Sequence, residues 1–412
     1  MLVWMKSLPI GLVLVLLGGC AWRNCLSCCS SWRQTPQVDC RQVEPAEVVP
    51  DISLLPPTSS GEAISYKYCA ISESTAQCLA ARNSRTANLL TKEAEAIEAQ
   101  PHCGHDGSEL AQDLLLLQAT QKRNEDAAAA LEILLRLAEA EGGAQSLAQR
   151  LVQVDGMLSD VSRLQEQGVA SPVTRNDVEL QRMELLHRQA DLQGTIHTLN
   201  HQLAEAMGVE LPPGSHYWPE APLLVEPELP DEEAAVQFAM NHRADLTALR
   251  LAARADGREA LAAAKIILQP LGMGGSASGS SHGLGKLLLL CAQHGEADVR
   301  SEQLRLAYRE QQRTVEHEVR QAVGLVATRV VQSSLTRDRQ QVAKSKLLSA
   351  ERQQELTVGA QPDIRTIRLE GLAVDQDLLH DAVEWKIAAM KLRAAQGMLA
   401  IECGWNAAIE CR

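Results

Sequence analysis

Gly168-Val169-Ala170-Ser171-Pro172 and Gly359-Ala360-Gln361-Pro362 are the two stretches that decide the fold. Each stands at the end of a long heptad-patterned segment and precedes a second apolar-periodic segment, and those second segments close at Gly208 and Gly397. The glycine-to-glycine spans are 40 and 38 residues, and the two turns lie 191 residues apart. A glycine tolerates the left-handed conformation that stops a helix, and a proline at the first position of the next helix pre-sets its φ. The pattern therefore predicts two long antiparallel helical hairpins from an internal repeat, each with a tight tip.

Composition agrees with rods packed side by side. Aromatic residues make up only 3% of the 412 residues, with a single Phe, whereas a compact core of that size normally uses more large rings. The net charge of −13 argues against a nucleic-acid partner, whose backbone demands a basic surface. The first outgoing helix is expected over residues 109–167, weakened or kinked at Gly142-Gly143. Its seam Leu147, Leu151, Val154, Leu158 and Val161 steps by four and three, as in coiled coils, and the return carries Leu192, Ile196, Leu199 and Leu203. The second outgoing helix is expected over 297–356 with Val319, Val323, Val326 and Val330, and its return carries Ile364, Ile367, Gly371, Val374 and Leu378. Upstream of the hairpins, Asn83-Ser84-Arg85-Thr86-Ala87-Asn88-Leu89 is echoed 158 residues later by Asn241-His242-Arg243-Ala244-Asp245-Leu246. The first member falls in a helix expected over 75–99, the second in one expected over 231–268.

The start is a secretory signal by its proportions: one cation, Lys6, an apolar run from Leu8 to Leu17, then Leu17-Gly18-Gly19-Cys20. Leu-small-small-Cys resembles the bacterial lipoprotein signal, which implies an acylated Cys20 as first residue of the mature chain, an outer-membrane lipid anchor and a periplasmic body; the alternative is an ordinary secretory signal with an incidental cysteine. The expected organisation is then signal peptide 1–20, Cys/Pro/Ser-rich tether 21–74, first hairpin repeat 75–211, Pro-rich linker 212–230, second hairpin repeat 231–400 and C-terminal tail 401–412. Ten further cysteines permit disulfides in an oxidising compartment, with a pairing that spacing does not reveal.

Chemistry-bearing motifs are weak throughout. Cys25-x-x-Cys28-Cys29 has no second pair at zinc-finger spacing, and His102-Cys103-Gly104-His105 reads as a polar turn between helices. Gly272-Met273-Gly274-Gly275-Ser276 lacks the Gly-Lys-Ser/Thr of a phosphate loop. His197 and His201 stand four apart without the glutamate of a His-Glu-x-x-His site, the pattern of a solvated or inter-helix pair. No catalytic constellation, metal site or cofactor is assigned, and an enzyme is not expected.

The landmarks together resemble one family. Gly168-Val169 leading to Asp177-Val178, and Val358-Gly359-Ala360 leading to Asp363-Ile364, are similar to the two hairpin tips of the TolC-type outer-membrane efflux proteins. Leu203-Ala204-Glu205-Ala206-Met207-Gly208 and Leu392-Arg393-Ala394-Ala395-Gln396-Gly397 are similar to that family's helix ends, and Arg243-Ala244-Asp245-Leu246 to its Arg-Pro-Asp-Leu signature. The resemblance implies a homotrimer whose twelve helices wall a periplasmic tunnel, a passive conduit that works with a periplasmic adaptor (membrane fusion protein) and an inner-membrane pump. It places Gly168, Val169, Ala170, Val358, Gly359 and Ala360 at the adaptor-contacting tips, and Asp177, Asp363 and Arg365 near the tunnel entrance. It also implies a β-barrel of four strands per subunit, for which residues 100–107 and 271–292 offer one poor hairpin at most, without aromatic girdles. The fold expected is therefore mainly α, with little or degenerate β-barrel. The alternative is a structural or partner-binding periplasmic lipoprotein that keeps the hairpins and does not conduct. A third reading, the adaptor itself, would need one hairpin inside a β-rich domain.

Overall fold

The computed structural model describes residues 67–99, 108–168, 173–223, 229–255, 259–261, 263, 264, 266, 267, 296–356 and 364–405. Of the two units into which the chain divides, residues 1–38 lie wholly outside that set, and everything below concerns the second, 39–412.

Each repeat follows one plan: a short strand, two short helices, then a long hairpin. In the first repeat these are β1 (Lys67–Ser72), α1 (Glu73–Asn83), α2 (Arg85–Glu98), α3 (Ser108–Glu166) and α4 (Arg175–Met207). In the second they are β2 (Ser215–Glu220), α5 (Glu232–His242), α6 (Ala244–Arg254), α7 (Glu296–Leu356) and α8 (Ile364–Ala395), followed by the short α9 (Met398–Glu402). At ~1.5 Å per residue, the 59 residues of α3 make a rod of roughly 90 Å. Most of a helix's stability in a protein comes from packing its apolar face on neighbours. The long helices supply them in a row: α4 packs on α3, α3 on α8, and α8 on α7.

The seams read from the sequence are the buried ones. Leu147, Val154, Met157 and Val161 of α3 join Val178 and Leu185 of α4 in one cluster, with Leu151, Leu158, Leu192 and Leu369 packed against it. Val315, Val319, Val323 and Val326 of α7 join Ala388 and Leu392 of α8 with Ala235, Val236 and Ala239 of α5. Alanine recurs at fully buried positions (Ala76, Ala80, Ala81, Ala87, Ala119, Ala127, Ala130), so the backbones approach closely and few large rings are needed. Gly142-Gly143 does not interrupt α3. A Cβ on Gly143 would stand 3.4 Å from Leu192 Cδ2, so this glycine admits α4 at close range.

Several expectations are corrected. The helix expected over 75–99 breaks at Ser84, whose Oγ accepts from Ala87 N–H and caps α2, and the one expected over 231–268 breaks at Arg243, which makes no side-chain cap, and again at Ala255. The equivalence Ser84 with Arg243 replaces the offset of 158 by 159. Pro172 is not the first residue of α4, which starts at Arg175 behind the N-cap Thr174. Residues 67–74, read as the end of a tether, form β1 and the start of α1, and the linker 212–230 contains β2. These strands pair in parallel, Lys67 opposite Ser215 through Ser72 opposite Glu220. Cys69 and Ile71 alternate inward, and Tyr217 and Trp218 are buried, a period-two signal masked by surrounding prolines. Residues 401–405 are not a loose tail. Gln77 Nε2 donates to Leu399 O at 2.9 Å, Asn124 Oδ1 accepts from Leu399 N–H at 3.0 Å, and Cys78 is joined to Cys403.

The breaks at Ser84 and Arg243 are also the joints that hold each hairpin's far end. In the first repeat, Asn83 Nδ2 donates to Met207 O at 2.8 Å, and the φ of Gly208 is +63°. In the second, Arg243 Nη1 donates to Ala395 O at 3.1 Å, and the φ of Gly397 is +77°. Arg243 is itself buried between Asp245 and Glu318, each 2.6 Å away. Removing one partner of such a buried ionic group leaves the others uncompensated, so Arg243→Ala is expected to destabilise the protein by about 3 kcal/mol or more. Gly208→Ala, which meets a positive φ and places its Cβ 2.8 Å from Asn83 Cβ, is expected to cost about 1–3 kcal/mol. Urea unfolding of the two variants against the parent protein measures both.

Candidate functional site

Chain order carries the tips away from the joints. At the first, Gly168 closes α3 with a φ of +71°, its N–H donating to Gln165 O at 3.1 Å. Thr174 and Asp177 then form a reciprocal capping box: Asp177 N–H donates to Thr174 Oγ1 at 3.2 Å, and Thr174 N–H donates to Asp177 Oδ2 at 3.3 Å. The Asp177 carboxylate therefore serves the start of α4. Val169, Ala170, Val358, Gly359, Ala360, Asp363 and the lipidation candidate Cys20 lie outside the described residues.

Arg365 is placed, and it is engaged. Its Nε donates to Asp160 Oδ2 at 2.8 Å, linking the second hairpin's return helix to the first hairpin's outgoing helix near both tips. The guanidinium occupies the space that a side chain at residue 156 would need, since a Cβ on Gly156 would stand 2.1 Å from Nη1. Sequence reading missed both Asp160 and Gly156; the signal available was a glycine interrupting an otherwise regular apolar heptad. Further from the tips the same α3–α8 contact carries Arg150 to Gln376 at 3.2 Å, Glu139 to His380 at 2.6 Å and Glu132 to Lys391 at 3.2 Å. Glu384 sits between Arg136 of α3 and Arg329 of α7. Its burial works against ionisation, but the two guanidiniums outweigh that and hold its carboxyl below the usual range. Pairs of this kind on exposed faces contribute little stability individually. What they fix is the register of the two hairpins.

The outer faces of the row carry a second pattern. On α4, opposite the buried Val178, Leu185 and Ile196, exposed residues Leu180, Met183, His187, Ala190, Gly194, His197 and His201 follow steps of three and four. On α7, opposite the buried Val319, Val326 and Ser333, the exposed residues Gly324, Thr328, Val331, Leu335, Asp338, Val342, Ser345 and Ser349 do the same. Leu180, Met183, Val331, Leu335 and Val342 are each more than half exposed, and a Cβ on Gly194 or Gly324 would touch nothing within 4 Å. These two helices are the ends of the row of long helices, and among the described residues no further long helix packs on either outer face.

Two clefts, of about 130 Å³ between α3, α4 and α8 and about 170 Å³ beside Trp385, fall well below the ~300–1,000 Å³ of ordinary ligand pockets. Among the described residues no group of three or more His, Cys, Asp or Glu is arranged to hold a metal ion, and no helix is long and apolar enough to cross a membrane.

Comparison with solved structures places this arrangement. The outer membrane channel CmeC of Campylobacter jejuni superposes with a TM-score of 0.57 at 10% identity, covering 79% of this chain and 85% of that one. The outer-membrane channel OprN superposes with a TM-score of 0.56 at 12% identity (78% and 90% covered). CusC, described in terms of transmembrane channel formation, superposes with a TM-score of 0.56 at 11% identity (79% and 91% covered). The fold is that of the TolC-type outer-membrane channels. No protein-family model matches the chain, and no curated protein matches it. Within the TolC-type fold the described residues of this chain contribute just two strands, both in the parallel ribbon, and no closed barrel.

One buried group within the rod titrates out of place. Glu141 is 4% exposed, its Oε1 has no hydrogen-bond partner among the described residues, and burial pushes its carboxyl up to about 7 from 4.5. Between those two values the unfolded chain ionises while the folded one stays protonated, so stability falls as pH rises across that window and is level above it. At ~1.4 kcal/mol per pKa unit, the full effect is about 3 kcal/mol. In Glu141→Gln that slope is expected to flatten, with a higher melting temperature at pH 8, read by thermal unfolding across pH 4–8.

Proposed function

We propose that this chain is the tunnel-forming subunit of an outer-membrane export conduit, assembled as a homotrimer and held by a lipid on Cys20 with its body in the periplasm. The observation that carries this reading is the pair of vacant seams on α4 and α7. Because α4 runs away from the tips and α7 runs toward them, copies set edge to edge meet antiparallel. The cross-contacts fix which residues stand level. Gly143 with Leu192, Glu139 with His380 and Thr336 with Asp381 bring Gly194 to within about one helical turn of Leu335. Arg182 with Asp155, Arg365 with Asp160 and Arg368 with Glu351 bring Leu180 level with Ser349. To within a turn, a small residue on one face lies near a large one on the other at both heights, the complementarity that knobs and holes require.

In this reading the tips (Gly168, Val169, Ala170 and Val358, Gly359, Ala360) meet a periplasmic adaptor, which couples the conduit to an inner-membrane pump. Asp177, Asp363 and Arg365 stand near the entrance. A specific observation favours a second reading. Only nine residues separate α2 from α3, too few for two membrane strands of ~9–11 residues each, so one of the two strand pairs of a full barrel has no room. A periplasmic wall that assembles without conducting satisfies that constraint.

Leu335→Asp is expected to convert the detergent-solubilised trimer to monomer on light scattering, with helix content unchanged. Cysteines at 194 and 335 are expected to cross-link copies into trimers. A parent protein that is monomeric at micromolar concentration defeats both readings. A trimer giving no current in planar bilayers leaves the non-conducting one.

A further inference from the structure

The far end of α4 carries chemistry that a tunnel wall does not use. His197 and His201 are one turn apart on its exposed face, their rings 4.6 Å centroid to centroid and edge to face. Between them Asn200 is fully buried and pins the ribbon to the helix: its Oδ1 accepts from Tyr217 N–H at 2.5 Å, and its Nδ2 donates to Ile196 O at 2.9 Å. That anchoring sets His216 beside the pair, its ring 6.0 Å from that of His197, with Tyr68 edge-on at 6.1 Å.

We propose that His197 and His201 form a two-imidazole chelate for a divalent transition cation of the Zn²⁺, Ni²⁺ or Cu²⁺ class, with water completing its coordination. Imidazole suits these ions, and two histidines at i and i+4 on a rigid helix present both nitrogens to one side without a backbone rearrangement. The charge on α4 itself favours a cation. From residue 189 to the end of α4 at Met207 the helix contains no Lys or Arg, while Asp191 and Glu205 contribute negative charge. With two protein ligands and exposed rings the site is open and exchangeable rather than structural.

The site belongs to the protomer, although in the assembled wall proposed above it would lie at the joint between copies. It therefore stands or falls apart from the channel reading. The mature full-length chain, with free thiols alkylated, is titrated calorimetrically with ZnCl₂, NiCl₂ and CuCl₂, both as assembled and as the Leu335→Asp monomer. Saturable binding at one site per chain is expected in the monomer, abolished by His197→Ala and by His201→Ala. His187→Ala is the control: His187 sits 3.5 Å from Asp191 at the same helical spacing but beside Arg188, and its removal is expected to leave the binding intact. All three exposed positions should tolerate alanine with unchanged circular dichroism. Absence of saturable binding for all three metals in the parent monomer overturns the site, as does binding that persists in the His197→Ala/His201→Ala double variant. A chain that binds the cation and never forms trimers would keep the site and remove the conduit.

Discussion

Everything in this molecule depends on covering helices that are too long to cover themselves. A rod of 59 or 61 residues exposes an apolar seam along its full length, and its backbone hydrogen bonds alone do not hold so long an element straight in water. The chain meets this by placing α3 and α8 inside the row, each with a long helix on either side, and α4 and α7 at its ends. Small residues make the contacts close. Ala382, Ala388 and Gly143 stand where a larger side chain would hold the helices apart. The polar contacts between the inner helices then act on register rather than on cohesion, since most are partly exposed and individually weak.

The two repeats keep a backbone solution and vary its chemistry. In both, a long return helix ends on a left-handed glycine that rests against the break between two short helices, and in both a side chain from the break donates to a carbonyl in the last turn of the return helix. One donor is an amide and the other a guanidinium. The orphan carbonyls at a helix end need a donor of any kind, whereas the glycine must be a glycine because its φ is positive. Arg243 does more than Asn83, since its two carboxylate partners tie α5, α6 and α7 together at one point. The ribbon of β1 and β2 follows the same duplicated logic: equivalent strands opening equivalent repeats lie side by side, and are parallel because the repeats are.

This explains what the sequence made legible. Long-range periodicity was readable because a seam such as Leu147 to Val161 must persist over many turns, and the caps at Gly168, Gly208 and Gly397 were readable because only glycine suits them. The ribbon was not, since six residues in a Pro-rich setting give too few periods to stand out, and its partner lies 148 residues away at Ser215. The breaks at Ser84 and Arg243 escaped because neither is Gly or Pro; Ser84 caps α2 through its Oγ, while Arg243 makes no cap and its guanidinium is held by Asp245 and Glu318. The Asp160–Arg365 contact was invisible for a different reason. It joins residues 205 apart, and only the packing of α3 on α8 brings them together. The candidate site was thus half legible: Gly168 and Arg365 could be named, while the partners that hold Arg365 could not.

The vacant seams and the short strand allowance pull on function differently, and the physical terms separate them. Closing the row satisfies exposed Leu, Val and Met on α4 and α7, a demand set by apolar surface in water and independent of any membrane. Crossing an outer membrane is a separate demand, because every strand of a barrel must find a partner and no edge can face lipid. Nine residues between α2 and α3 cannot meet it twice over, whatever the helical wall does. The assembly proposed above therefore does not by itself entail conduction. In the reading proposed above, a lipid on Cys20 would keep a helical wall at the membrane without any barrel at all, so closing the wall and crossing the membrane are met by different parts of the chain.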